Sequence, residues 1–440
     1  MTEKDLLVTP ILLIIIYVLA YIIRPYVTNK DTKRYFIIAL TLKFVGAISL
    51  GLIYQFYYGS GDTFGFTTYG SHYIWEAFTE SPSAAFKLIF YENEYMSDTF
   101  KYTSRMWYFN DTPSYFVVRV AGLIGILTFD TYSATAIFFA LISFSGLWAL
   151  FSILCKTYPN IHTQLAVAFF FVPSVLFWGS GVMKDTLALA ALCWITYALI
   201  KIVYFKKSLL SSLILTVFGL YVIYIIKIYI LLCYLPVVFV WLFLHYNKQI
   251  KSIALKAIVA PLLLAITVSA GYFGAVSITS QSQKYSLDKL LLTAEVTARD
   301  NSLWTVRDEG SGYDLGDYDF TYQGVARKFF PAIWTTLFRP YFWEINSIVM
   351  ALSAFEGLLL LMLTIYILFK SGLKRIVSKL ISEPMLVFFL VFTMTFAFAV
   401  GISSGNFGSL VRYKIPILPF FLTAIFVISN FSRQTSTKEV

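Results

Sequence analysis

The 440-residue chain is 58% hydrophobic and only 13% charged, with a mean hydropathy of +0.73. A soluble globular protein carries about a quarter charged residues to wet its surface, so a length that would allow two or three soluble domains belongs here to an integral membrane protein, read as one membrane domain over 1–440. The net charge of +10 is therefore tested first as a topology signal and only then as a footprint for nucleic acid.

A bilayer core takes about 20 apolar residues per helix. Runs of that kind fall at 8–23, 35–57, 132–154, 164–180, 186–204, 209–226, 228–246, 257–279, 346–369, 384–401 and 414–431. They predict an all-α polytopic membrane protein of about 11 transmembrane helices. Arg24-Pro25 follows the first run without a small-residue cleavage site, so that run reads as a retained helix rather than a signal peptide. A further stretch, 114–128, is short and carries Arg119.

Basic residues mark the cytoplasmic side. They cluster at Lys30, Lys33 and Arg34, at Lys206 and Lys207, at Lys248, Lys251 and Lys256, and at Lys370, Lys374, Arg375 and Lys379. All four clusters share a side only if 114–128 does not cross, which makes that stretch a juxtamembrane or re-entrant helix at the outer surface. The N-terminus is then outside and the C-terminus cytoplasmic. The inner side receives half of the 34 basic residues, against Asp31, Glu383 and Glu439 as its only acids. The positive excess thus orients the chain, and no nucleic acid is expected. Two long loops fall outside, 58–131 and 280–345. Loops of that length in a compact protein are usually functional, and these are rich in aromatics such as Trp75, Trp107 and Tyr313.

The first outer loop opens with Tyr57-Tyr58-Gly59-Ser60-Gly61-Asp62-Thr63-Phe64-Gly65, followed by Tyr69-Gly70. A carboxylate just past the outer end of a helix, among glycines, can accept a proton from a hydroxyl or stabilise a developing positive charge. The plain alternative is an aspartate capping the next short helix. An aspartate in the first outer loop, an aromatic-rich juxtamembrane segment and many spans together resemble the GT-C superfamily, whose membrane glycosyltransferases use polyprenyl-phosphate-linked sugars. The resemblance covers most of the chain as architecture, with Gly61-Asp62 and the downstream Tyr69 as its motif core. It implies Asp62 as the catalytic base or its close partner and Tyr69 as a substrate contact. The extra N-terminal span departs from the family, where this loop usually follows the first helix. No HExxH-like or paired-carboxylate metal pattern stands beside Asp62.

Pro173-Ser174-Val175-Leu176-Phe177-Trp178-Gly179-Ser180-Gly181-Val182-Met183-Lys184-Asp185 forms a second constellation, where Pro173 and the Gly179–Gly181 pair break or kink one helix and a lysine and an acid open the next. A helix N-terminus with a nearby lysine suits a phosphate; the plain reading has Asp185 as N-cap and Lys184 reaching toward headgroups. The turn is similar to one carried by bacterial envelope-glycan transferases. Phe338-Arg339-Pro340-Tyr341-Phe342-Trp343-Glu344 and Gly405-Asn406-Phe407-Gly408-Ser409-Leu410-Val411-Arg412-Tyr413-Lys414 each place cations with aromatics at an outer helix end, and Lys227 sits in a turn between two spans. Cations there need an anionic partner, either a protein carboxylate such as Glu344 or a lipid-linked phosphate. Lys184, Asp185, Lys227, Arg339, Glu344, Arg412 and Lys414 are accordingly substrate-binding candidates. Intramembrane Lys43 and Glu356 are functional suspects by position, with mutual pairing or snorkelling as the alternative. The acidic stretch 308–319 lacks EF-hand spacing, and both a solvated loop and a weak divalent-cation site fit it. The three cysteines lie in or beside apolar runs without metal-ligand or disulfide spacing, and the three histidines are scattered.

These features predict a glycosyltransferase on the outer face of a bacterial inner membrane, moving sugar from a polyprenyl phosphate to a glycan, lipid or protein acceptor. An envelope polysaccharide polymerase or ligase, and a lipid-linked-glycan transporter or flippase, are the competing readings. No Gly-rich phosphate loop calls for a nucleotide.

Overall fold

The computed structural model describes residues 3–252, 255, 261, 290–307, 312–316 and 319–436. All regular structure among them is helical, apart from an isolated antiparallel bridge between Gly312 and Asn406. The chain forms two compact units, Met1–Lys227 and Ile228–Val440. In the first, α1 (Glu3–Val27) and α2 (Lys33–Phe56) lead into α3 (Asp62–Phe66), a π-helical turn (Thr67–Ser71), α4 (His72–Glu80), α5 (Pro82–Phe90), α6 (Phe100–Thr103) and α7 (Thr112–Leu127). Then come α8 (Tyr132–Thr157), α9 (His162–Phe170), α10 (Pro173–Trp178), α11 (Lys184–Ile200) and the start of α12 (Leu209–Gln249). The second unit adds α13 (Leu290–Arg307), α14 (Tyr322–Arg327), α15 (Phe329–Phe338), α16 (Ile348–Ser371), α17 (Leu373–Ser382), α18 (Pro384–Ser404), α19 (Phe407–Tyr413) and α20 (Leu418–Ser436).

Seven helices among the described residues are long and apolar enough to cross a bilayer, namely α1, α2, α8, α11 with its π-helical end, α12, α16 and α18; the bent pair α19–α20 makes an eighth if counted as one span. The protein is thus a multi-pass membrane protein, with seven or eight candidate spans among the described residues in place of the expected eleven. The run 257–279 lies, but for residue 261, outside the described residues. The runs 209–226 and 228–246 are two helices that meet at Lys227 (φ −149°, ψ 70°), as expected, and are joined in the 41-residue α12 that is counted once among the long helices. The run 164–180 is not one helix, because Pro173 supplies no backbone donor and starts a new helix after the break at Phe171–Val172.

That broken segment follows α2 along its length. Near the start of α2, the Tyr35 hydroxyl lies 2.9 Å from Thr163 Oγ1. At its middle, Lys43 Nζ donates to the Gly179 carbonyl at 2.6 Å and the Val175 carbonyl at 3.3 Å. Toward its end, the Tyr54 ring meets Trp178 edge-on at 6.3 Å. A helix interrupted inside a membrane must have its freed carbonyls satisfied by protein, and the fully buried Lys43 does this for α10. Helices α2 and α10 approach so closely at Gly46 that a Cβ there would stand 2.2 Å from the Leu176 carbonyl oxygen.

The stretch 58–131 is largely helical. Both flanks of α7 return to α3: the Tyr108 hydroxyl donates to Asp62 Oδ1 at 3.3 Å before it, and the Tyr132 hydroxyl lies 2.7 Å from Thr63 Oγ1 after it. Residues on both flanks of α7 thus touch α3. Arg119 faces protein, with its guanidinium donating to the carbonyls of Leu88 and Tyr91 and to Asn93 Oδ1. These cover the otherwise unmet C-terminal carbonyls of α5.

Helix α1 is held at its ends. Asp5 Oδ1 accepts from the Ser133 backbone N–H and hydroxyl at 2.7 and 2.6 Å, and the Val27 carbonyl accepts from the Trp148 indole at 3.1 Å. Between these ties α1, α2 and α8 leave an apolar groove of about 810 Å³, lined by residues such as Leu12, Ile16, Phe144 and Trp148.

Candidate functional site

Asp62 is the first residue of α3, with Gly61 at the cap position, so the simple capping role does not apply. Gly61 adopts φ 138°, a region that favours glycine, and a Cβ there would lie 2.3 Å from the Tyr54 ring. At Gly65 a Cβ would lie 2.5 Å from the Tyr108 ring. The two glycines thus let two tyrosines close around α3. The half-exposed Asp62 carboxylate is held by the Tyr108 hydroxyl. Tyr69 stacks face to face on Trp107, with ring centroids 3.9 Å apart and planes 1° apart. Both rings are partly exposed, a flat aromatic surface of the kind that receives the apolar face of a ring-shaped ligand.

Beside this lies a run of alternating charges. Asp111 caps α7 through the Ser114 N–H at 3.2 Å and pairs with Lys184 Nζ at 3.2 Å. Partial burial alone would raise the Asp111 pKa, but the Ser114 hydroxyl and the Lys184 ammonium outweigh it and hold the carboxyl below its ordinary value. Met183, not Asp185, occupies the cap position of α11. The Asp185 carboxylate, fully buried, instead accepts from Lys227, which is 7% exposed, at the non-helical residue of α12. Exposure separates the two lysines: Lys184 is 23% exposed against a half-exposed partner, whereas Lys227 is shut in with its counter-ion. A ligand phosphate can reach Lys184 without breaking the core. Asp62, Lys184, Asp185 and Lys227, all expected from the sequence, thus belong to one unit, where Tyr108 and Asp111 link them.

In the second unit Arg339 pairs with Glu344, its Nε lying 3.1 and 3.2 Å from the two carboxylate oxygens. Glu344 also accepts from the Tyr341 N–H at 2.7 Å, closing a capping box on its helical turn. The Arg339 guanidinium lies over the rings of Tyr313, Tyr341 and Phe407 at 5.8, 5.7 and 5.1 Å, near the range for cation–π attraction. The carboxylate is therefore this arginine's partner. Arg412 is half-buried in α19. Lys414 is fully buried, its ammonium has no hydrogen-bond partner among the described residues, and it interacts electrostatically with the buried Glu356 of α16.

Tyr108 and Asp111 escaped sequence reasoning, although Asp111-Thr112-Pro113-Ser114 is a legible helix start. A second missed pair is His72 and Asp130, whose Nδ1 and Oδ2 are 2.5 Å apart. Nothing in a 58-residue separation announces it. The Asp130 hydrogen bond raises the His72 pKa, against a smaller lowering by burial. Asp130 and its neighbour Phe129 both lie in the left-handed region, at φ 56° and 55°. Such backbone costs on the order of 1–3 kcal/mol per residue and clusters where function fixes it.

Among the described residues no three His, Cys, Asp or Glu side chains converge as metal ligands. The chain matches no known family model, no curated protein and no solved structure.

Proposed function

We propose that the protein is a membrane glycosyltransferase that moves sugar from a polyprenyl-phosphate donor to an acceptor hydroxyl of an envelope glycan, lipid or protein. The observation that carries the reading is the placement of Asp62, steadied by Tyr108, in the same unit as an accessible ammonium, Lys184, that is itself steadied by Asp111. The Asp62 carboxylate takes the proton of the acceptor hydroxyl. The hydroxyl oxygen attacks the anomeric carbon, the bond from that carbon to the phosphate oxygen breaks, and the lipid phosphate leaves with the bonding pair. Lys184 stabilises the departing charge as Asp111 releases it. The stacked Tyr69–Trp107 surface supports a sugar-binding role. Asp185 and Glu344 hold Lys227 and Arg339 in place, while Arg412 is the second unit's anion-binding candidate. By its basic clusters the active side is the outer face of a bacterial inner membrane.

The test is a glycan profile of cells lacking the protein, complemented with wild type or Asp62→Asn. A general base contributes about 10²–10⁴-fold; Asp62→Asn should insert stably and restore no detectable product. Full restoration by Asp62→Asn would remove the base assignment. If Arg412→Ala abolishes activity while Asp62→Asn keeps it, a polymerase or ligase is the better description. The buried Lys414 and Glu356 favour one further reading, transport of a lipid-linked glycan. Lipid-linked glycan crossing vesicles of wild-type protein without any acceptor would establish it.

A further inference from the structure

A second cavity, of about 560 Å³, opens beside α3 in the first unit. Its size falls in the range of small-molecule sites, about 300–1,000 Å³. Unlike the groove along α1, it is polar. Thr67, Thr68 and Ser71 come from one side of the π-helical turn, and Thr131 and Asp130 from the link between α7 and α8. His72 stands at the rim, 46% exposed on its side chain. A π-helical turn is rare and often marks a functional site, and here it places Thr68 and Ser71 on the cavity wall, with Tyr69 between them stacked on Trp107.

The ligand class follows from the lining. Glu3, Asp5 and Asp130 oppose Lys4 and His72, so an anion meets more negative than positive charge. A wall of hydroxyls with one imidazole suits a neutral ligand with many hydroxyls of its own. Asp130 occupies His72 Nδ1 and fixes the ring, which leaves Nε2 as the nitrogen that can bond a ligand.

We infer that this cavity binds a neutral saccharide, held by a hydrogen bond to His72 Nε2. It rests on the transferase reading only in calling that saccharide the acceptor; binding requires no transfer. His72 positions the sugar, and Asp62 remains the base.

The experiment uses the full chain in detergent with maltose, lactose and chitobiose as neutral probes and glucose 6-phosphate as the charged comparison. Saturation-transfer difference NMR reads binding, and diethyl pyrocarbonate labelling of His72, followed by mass spectrometry, reads occupancy. At least one neutral sugar should bind, slow His72 labelling and outcompete the sugar phosphate. His72→Ala, at an exposed position, should weaken binding about tenfold, and Thr68→Trp, at the exposed rim, should block it. Asp62→Asn should bind as wild type does, so that loss of transfer with retained binding separates this site from the base. Equal signals from wild type and Thr68→Trp, with His72 labelled at the same rate with and without sugar, would overturn the inference.

Discussion

A charge inside this protein is set by its partner. Asp185 and Lys227 are both buried and bonded to each other. Removing one member strands the other in a medium that does not solvate it, at a cost of about 3–5 kcal/mol. Lys227→Ala should therefore lower the thermal midpoint in detergent strongly. Lys227→Met with Asp185→Asn should recover much of that loss, whereas a purely substrate-binding lysine would leave the midpoint unchanged. At His72 the effect depends on pH. The imidazole faces Asp130 and Glu76, which favour its charged form, and Arg105, which opposes it. Because the folded pKa is raised, the stabilisation is complete below the unfolded value of about 6.5 and is lost as pH rises through the folded one. Asp130→Asn should flatten the corresponding change in thermal midpoint as pH rises from below that unfolded value. None of these pairings was legible beforehand, since Asp62–Tyr108, Asp111–Lys184 and His72–Asp130 join residues 46, 73 and 58 positions apart. The residue types in most of them were legible, because acids and cations at outer helix ends stand out against an apolar chain.

Long apolar helices such as α2 and α8 could be read directly, since their length must match a bilayer whatever they pack against. The break between α9 and α10 does not show in hydropathy, which averages over it, but Pro173 and the glycines after α10 mark it in the sequence. Its packing now defines a test. Gly46→Ala drives a methyl into the Leu176 carbonyl, and overpacking of this kind costs about 1–3 kcal/mol; the variant should lose thermal stability while Gly125→Ala, with open space around it, should not. Helix α17 shows another property that span-hunting ignores. Leu373, Val377 and Ile381 are exposed along one stripe, and Lys374 and Arg375 share the helix with them. An amphipathic basic helix between two spans belongs in the headgroup region. A tryptophan placed at Ile381 should be quenched by brominated lipid chains, and one at Arg375 should not.

For the whole molecule, the basic clusters at 30–34 and 206–207 share a side only if an even number of crossings separates them. Helices α2, α8 and α11 give an odd number. Since α7 starts and ends beside α3, the broken segment 162–184 supplies the missing passage along α2. Cysteines placed at Lys30 and Lys207 should then react from the same, cytoplasmic side, while one at Ser60 reacts only from the other. Labelling of Lys30 and Lys207 from opposite sides would reverse this topology.

The ties on α1 also carry a timetable. The partner that fixes Asp5 lies 128 residues further along the chain. At about 5–20 residues per second, synthesis takes roughly 6–25 s to reach it. Over that interval the first helix has its acid near the membrane without the N-terminus of α8 to receive it. Only when α8 emerges can Ser133 dock the start of α1, which until then is tied to α2 alone, through Tyr17 and Arg24. Slowing synthesis between α2 and α8 should lengthen the time during which α1 is accessible to a membrane protease or an insertion chaperone.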